Sequence, residues 1–183
     1  MQTVIPGAPS KALKPKKRKV LLVEDHPLLR GGLAALINSE PDFEVCGETD
    51  RLASAEQLAH TLRADIVVVD AMLRDECGLD LIQSLARTSP GILTLMLSMY
   101  DEAVYAERAL RFGARGYVMK SQPPATVIAA LRQVVAGKIY LSPMLRKRIT
   151  ASPATSGVAG AQAHHRTAGS GPVVHETMES ARR

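Results

Sequence analysis

The sequence predicts an α/β domain, a doubly wound five-stranded parallel sheet, with disordered tails on either side. Three observations carry this. Five short β-branched or Leu-rich runs alternate with five segments of helical hydrophobic spacing between Lys19 and about residue 140. Three of those runs are apolar on both faces, as strands covered by helices on each side must be. Beyond residue 150 the pattern stops: residues 151–183 hold no Leu, Ile or aromatic residue and cannot bury enough surface to offset the entropy of ordering.

The elements follow in order. Val20–Val23 is the first strand, and Leu29, Leu33, Leu36 and Ile37 mark the first helix, with Pro27 suited to its opening turn. Phe43–Cys46 is the second strand, followed by a helix on Leu52, Ala55, Leu58 and Leu62. The third, Ile66–Val69, precedes a helix on Leu79, Leu81, Ile82 and Leu85; the fourth, Ile92–Leu97, precedes one on Val104 and Leu110. Gly116–Met119 is the fifth strand, and Pro123-Pro124 lead into a helix on Val127, Ile128, Leu131, Val134 and Val135. Gly113 and Gly137 sit where a helix C-terminus calls for a left-handed residue. Right-handed crossovers then give an open sheet of five strands. The expected division is a basic disordered extension over 1–18, a domain over 19–140, a linker helix over 141–150 with Pro143 in its first turn, and a low-complexity tail over 151–183.

Composition narrows the function. The net charge of +5 belongs to the ends: residues 1–19 carry six Lys/Arg and no acid, whereas residues 20–145 carry eleven basic and sixteen acidic side chains. An acidic middle is a poor footprint for a phosphate backbone. Four Tyr, two Phe and no Trp leave little for base stacking. Two cysteines, Cys46 and Cys77, without CxxC spacing and without an export signal, suggest a reducing cytoplasm, with Cys46 a core residue. No apolar run approaches the roughly 18 to 20 residues of a membrane span, so no membrane partner is expected. His164-His165 has no Cys or carboxylate neighbour to complete a metal site.

In open parallel sheets ligands collect at the carboxyl ends of the strands. Strand 1 ends in Glu24-Asp25, strand 3 in Asp70, strand 4 in Ser98 and strand 5 in Lys120. Each alone has a bland explanation, since Asp caps helices, Ser opens turns and Lys is usually solvated. Four of five strand ends carrying matched polar groups are hard to assign to capping. Three carboxylates brought together repel one another, and a hard divalent cation such as Mg²⁺ relieves that. A carboxylate beside a cation and an ammonium can act as nucleophile toward a phosphoryl group, with Lys120 and the Ser98 hydroxyl neutralising its oxygens.

These residues resemble the receiver domains of two-component response regulators. The match lies in Val20-Leu-Leu-Val-Glu-Asp-His-Pro27, in Ile66-Val-Val-Val-Asp70 with Gly78 eight residues on, and in Gly113-Ala-Arg-Gly-Tyr-Val-Met-Lys120. The Asp-His-Pro triplet, the Gly-Tyr-x-x-Lys ending and Tyr140-Leu-Ser-Pro143 are most similar to the NarL/FixJ branch, which continues into a LuxR-type helix-turn-helix. The resemblance implies a flavodoxin-like strand order 2-1-3-4-5. It implies that Asp70 accepts phosphate from a histidine kinase and that Glu24, Asp25, Asp70 and the main-chain carbonyl of Met72 hold Mg²⁺. It further implies that Lys120 pairs with the phosphoryl group, that Ser98 hydrogen-bonds to it, and that Tyr117 is an aromatic switch turning inward as Ser98 moves. The alternative for Tyr117 is a partly exposed strand tyrosine. A homodimer through the first and last helices is implied at the level of the family, with no enzymatic activity beyond self-phosphorylation and dephosphorylation of the aspartate.

Arg74 stands where many relatives have Pro, and Ser121 follows Lys120 where many have Pro, so both loops are open to different shapes. Nothing after residue 150 has the periodicity of a DNA-binding unit; a stand-alone receiver and a reading frame lost near Ile149 are the two expectations, and DNA is a partner only where an output domain exists. Two other readings compete. One is a Mg²⁺-dependent phosphohydrolase with an Asp nucleophile, weakened because Met72 holds the place of a second acid. The other is a DNA-binding regulator acting through its basic tails with salt-sensitive affinity.

Overall fold

The computed structural model describes residues 16–151, with side chains over 16–147. Most of the basic extension, the low-complexity tail and His164-His165 lie outside the described residues. The sheet strands are β1 Arg18–Val23, β2 Phe43–Thr49, β3 Ile66–Asp70, β4 Leu93–Ser98 and β5 Gly116–Met119. The helices are α1 Pro27–Ser39, α2 Leu52–Thr61, α3 Gly78–Thr88, α4 Glu102–Arg111, α5 Ala125–Val135 and α6 Pro143–Ala151. All sheet pairings are parallel and the spatial order is β2-β1-β3-β4-β5, the flavodoxin-like order, so the strand order reverses between β1 and β3 and their carboxyl ends face a shared crevice.

Side-chain alternation sorts the core onto two faces. Leu21, Val23, Val67, Val69, Met96 and Tyr117 pack with α2, α3 and α4. Val20, Leu22, Ile66, Val68, Leu95, Leu97 and Val118 pack with α1 and α5. Each fully buried aliphatic side chain contributes roughly 1.5–3 kcal/mol, which is what holds five strand ends in fixed directions.

The local departures have physical causes. β2 runs to Thr49, past the end its apolar run suggests, because the pairing slips one residue between Val20 and Leu21, which face Val45 and Gly47 and leave Cys46 as a bulge. Cys46 is therefore half-buried against the core, not within it, and burial pushes its thiol up. On α4, Val104 points to solvent at 69% exposure while Ala106, Ala109 and Glu102 face inward. Val104 and Leu110 are six residues apart and do not share a helical face. Gly113 and Gly137 take φ of +109° and +76°, as their C-terminal positions require. All described peptide bonds are trans, that between Lys120 and Ser121 included.

The segment after α5 is tied to the domain. Tyr140 bridges Gly116 at the end of the sheet, and Leu141 and Leu145 join the α2–α4 face of the core. The Ser142 N–H donates to Glu102 Oε1 at 2.7 Å, giving the buried Glu102 carboxylate a partner, and the Ser142 hydroxyl accepts the Leu145 N–H at the start of α6.

Candidate functional site

Glu24 and Asp25 follow β1, Asp70 and Ser98 close β3 and β4, and Lys120 follows β5. All five stand at the carboxyl ends of apolar, buried strands, and contacts join four of them, Glu24, Asp25, Asp70 and Lys120. The Lys120 ammonium lies 2.7 Å from Asp70 Oδ2 and 2.8 Å from Glu24 Oε2. Asp70 and Glu24 are almost fully buried, at 3% and 2% exposure, and Asp25 is partly so. Glu24, Asp25, His26 and Asp70 each offer a ligand atom, all within 4.8 Å of one another.

Three carboxylates face one ammonium here, and burial removes the water that would screen them. Burial pushes the Asp70 carboxyl up and Glu24 pushes it the same way, against the opposing Lys120 ammonium. Burial also acts upward on Asp25, but the Arg74 N–H, His26 and Lys120 together hold its carboxyl below the usual value. Glu24 Oε2 and Asp25 Oδ1 are buried without a hydrogen-bond donor of acceptable geometry. Three carboxylates clustered within 4.8 Å, with a single ammonium and an imidazole beside them, are the donor set a hard divalent cation takes, so the residues fit Mg²⁺.

Glycine at 78 has a steric reason. A Cβ there would lie 2.0 Å from the Asp70 carbonyl oxygen, since α3 starts directly against the strand end, with the Gly78 N–H donating to Ala71 O at 2.9 Å. The β3–α3 loop folds back as a short hairpin, Met72–Leu73 against Glu76–Cys77, and the Met72 N–H reaches Asp70 Oδ1 at 3.3 Å.

Ser98 is fully buried and its hydroxyl accepts the Tyr100 N–H at 3.0 Å. Tyr117 already points inward, 1% exposed, and donates its hydroxyl to Tyr100 O at 2.9 Å. The partly exposed tyrosine is thus ruled out for this structure. Both residues grip the same loop residue.

Two neighbours were noted in the sequence but not as site residues. The His26 imidazole, exposed at its outer side, places Nδ1 3.1 Å from Glu24 Oε1 and 3.0 Å from Asp25 Oδ1. Its signal was adjacency to the two acids. Arg74 donates its backbone N–H to Asp25 Oδ2 at 2.9 Å, a contact across 49 residues that no local pattern announces.

Comparison with known proteins agrees with this geometry. Residues 20–132 match the family model described as the response regulator receiver domain. The chain belongs to the response regulator receiver domain family. The nitrate/nitrite response regulator protein NarL of Escherichia coli is 34% identical to this receiver over 135 residues, 73% of this chain and 62% of NarL. The response regulator GacA of Pseudomonas aeruginosa is 30% identical over 131 residues, 72% of this chain and 61% of GacA. The receiver chain thus spans about three fifths of the length of these curated relatives. Among solved structures, a LuxR-family two-component response regulator from Aurantimonas superposes with a TM-score of 0.69 at 30% identity, covering 74% of this chain and 96% of that one. The receiver fold and the NarL-type resemblance are therefore established, and no helix among the described residues is long and apolar enough to cross a membrane.

Proposed function

We propose that this chain is the phosphoacceptor of a two-component phosphorelay, taking a phosphoryl group from a histidine kinase onto Asp70. The observation that carries the reading is the buried Asp70 carboxylate, 2.7 Å from the Lys120 ammonium and clustered with Glu24 and Asp25. An Asp70 oxygen attacks the phosphorus of a phosphohistidine, the P–N bond breaks, and the phosphoryl group stays on the aspartate. Glu24, Asp25, Asp70 and the main-chain carbonyl of Met72 would hold Mg²⁺. When bound, the cation supplies positive charge for the phosphoryl oxygens. Lys120 neutralises a further oxygen from its place beside Asp70, and the buried strand ends exclude bulk water.

Ser98 and Tyr117 supply the readout. The Ser98 hydroxyl turns from accepting the Tyr100 N–H to donating to a phosphoryl oxygen, which frees the loop that Tyr117 holds by the Tyr100 carbonyl. The roughly −1.5 to −2 charges gained on phosphorylation bias that two-state loop. A second copy of the chain is the partner proposed for the apolar cleft between α1 and α5, where Leu28 is 94% exposed beside Leu29, Leu33 and Val127. A phosphohydrolase is less favoured, because position 72 offers methionine where a second acid would serve. Transcription control through DNA belongs to whatever output this receiver addresses.

Incubation with acetyl phosphate and Mg²⁺ tests the proposal. Wild-type chain gains one phosphoryl group by intact mass and Asp70→Asn gains none; uptake by the variant at the wild-type rate would overturn the assignment.

A further inference from the structure

Among the described residues two non-glycine residues have positive φ, Arg63 and Arg74, both at 54°. Arg63 directly follows the C-cap of α2, where a left-handed residue ends a helix. Arg74 is different, for it is the first of the two residues that join the short hairpin after β3. Such a turn position accepts positive φ and favours glycine, so an arginine there carries a backbone cost with no turn requirement for its side chain.

The chain gains a contact from that conformation. With φ at 54° the Arg74 N–H donates to Asp25 Oδ2 at 2.9 Å, while Asp25 Oδ1 is buried in the acidic cluster, 3.0 Å from His26 Nδ1 but without a hydrogen bond of acceptable geometry. One carboxylate oxygen is held from outside, and the other faces the acidic cluster beside the His26 imidazole. The guanidinium bonds Asp50 Oδ2 at 2.7 Å, but both groups are substantially exposed, so this pair adds little beside the backbone bond.

We propose that Arg74 is a positioning residue: its left-handed backbone N–H orients Asp25 so that Oδ1 presents to a divalent cation. The inference rests on the proposed function, which assigns Asp25 to the cation site. Hydrogen-bond partners behind a metal ligand are typically worth about 10 to 100-fold in metal affinity. The relevant group is the backbone N–H, so the side chain matters only through the conformations it permits. Glycine keeps the N–H and adopts positive φ freely. Valine keeps the N–H but disfavours positive φ. Proline removes the N–H and fixes φ negative.

Titration calorimetry with MgCl₂ alone, on the full chain, tests the series, with melting temperatures recorded without Mg²⁺. Arg74→Gly and Arg74→Ala are expected within about twofold of wild type, Arg74→Val several-fold weaker, and Arg74→Pro about tenfold weaker or more. If Arg74→Pro does not fold, the Val-to-Gly difference decides. A role confined to loop stability would move melting temperatures and leave Mg²⁺ affinity flat across the series, and that result overturns the inference while leaving the proposed function standing, as does weakening by Arg74→Gly equal to that by Arg74→Val. A wild-type chain that binds no Mg²⁺ overturns both.

Discussion

Two groups of charges on this domain are built from the same residue types and do opposite things. At the carboxyl edge of the sheet, Glu24 and Asp70 hold Lys120 in near-complete burial, with the half-buried Asp25 clustered beside them. On the far side, Arg132 of α5 binds Glu40 and Asp42 in the α1–β2 connection, half in water, with Lys17 donating to the Glu40 carbonyl. In the second group the opposing charges meet by hydrogen bonds, and water supplies the rest. In the first, acids outnumber the cation and water is excluded. Burial, more than the kind of charge, separates a site that must bind something from a surface pair that merely fastens a loop.

The largest expected effect comes from closing the space on which the site depends. Gly78→Ala puts a methyl group against the Asp70 carbonyl and the Val69 side chain, so backbone must shift. Overpacking of this kind costs about 1–3 kcal/mol. The melting temperature should fall by several degrees and phosphoryl uptake should fall with it. An unchanged melting temperature and uptake would show that α3 can retreat from the strand end without disturbing the acids.

Asp70→Asn should move stability the other way. Because the folded carboxyl is pushed above its ordinary value of 3.8, the native state holds more protons than the unfolded chain between that value and the raised one. Stability therefore falls as pH rises through the raised pKa, and the burden of Asp70 is fully present above it. Without Mg²⁺ at neutral pH the variant is expected to melt higher, by about 1 kcal/mol or a few degrees, and to take up no phosphate. A variant that melts lower would mean that the bond to Lys120 outweighs the repulsion, and would weaken the contrast between the two regions.

How far the sequence reveals this architecture depends on which physical signals are local. Five apolar runs with helical spacing between them suffice for the sheet, because burial on both faces leaves its mark in consecutive residues such as Ile66–Val69. The convergence of Glu24, Asp25, Asp70 and Lys120 follows from strand ends alone. The direction of Tyr117 does not: both sheet faces are covered, so alternation cannot say which side of the strand is filled by a ring or left open. Nor does the Cys46 bulge, which arises from register against β1, or the burial of Glu102, which depends on Ser142 forty residues later. Arg74 is the clearest case. Propensity places no arginine at positive φ, and only the distant Asp25 shows what that conformation accomplishes.

The smallest expected effect is at the surface pair. The Arg132 guanidinium binds Asp42 and holds its carboxyl below the ordinary value of 3.8, despite some upward pull from burial. A depressed folded pKa means that the contribution of Asp42 is present above 3.8 and is lost as pH falls through the depressed value, so its signature is confined to the acid limb. Arg132→Ala should therefore lower stability only slightly at neutral pH, less at high salt, and flatten the acid limb of the stability profile. Phosphoryl uptake and Mg²⁺ affinity should not change, since the pair touches no residue of the crevice. Thermal melts across pH and salt, run beside an uptake assay, check all of this at once. A loss of uptake would show the two regions to be coupled through α5, whereas a large drop in melting temperature that salt does not reduce would mean that the pair is less solvated than its exposure implies.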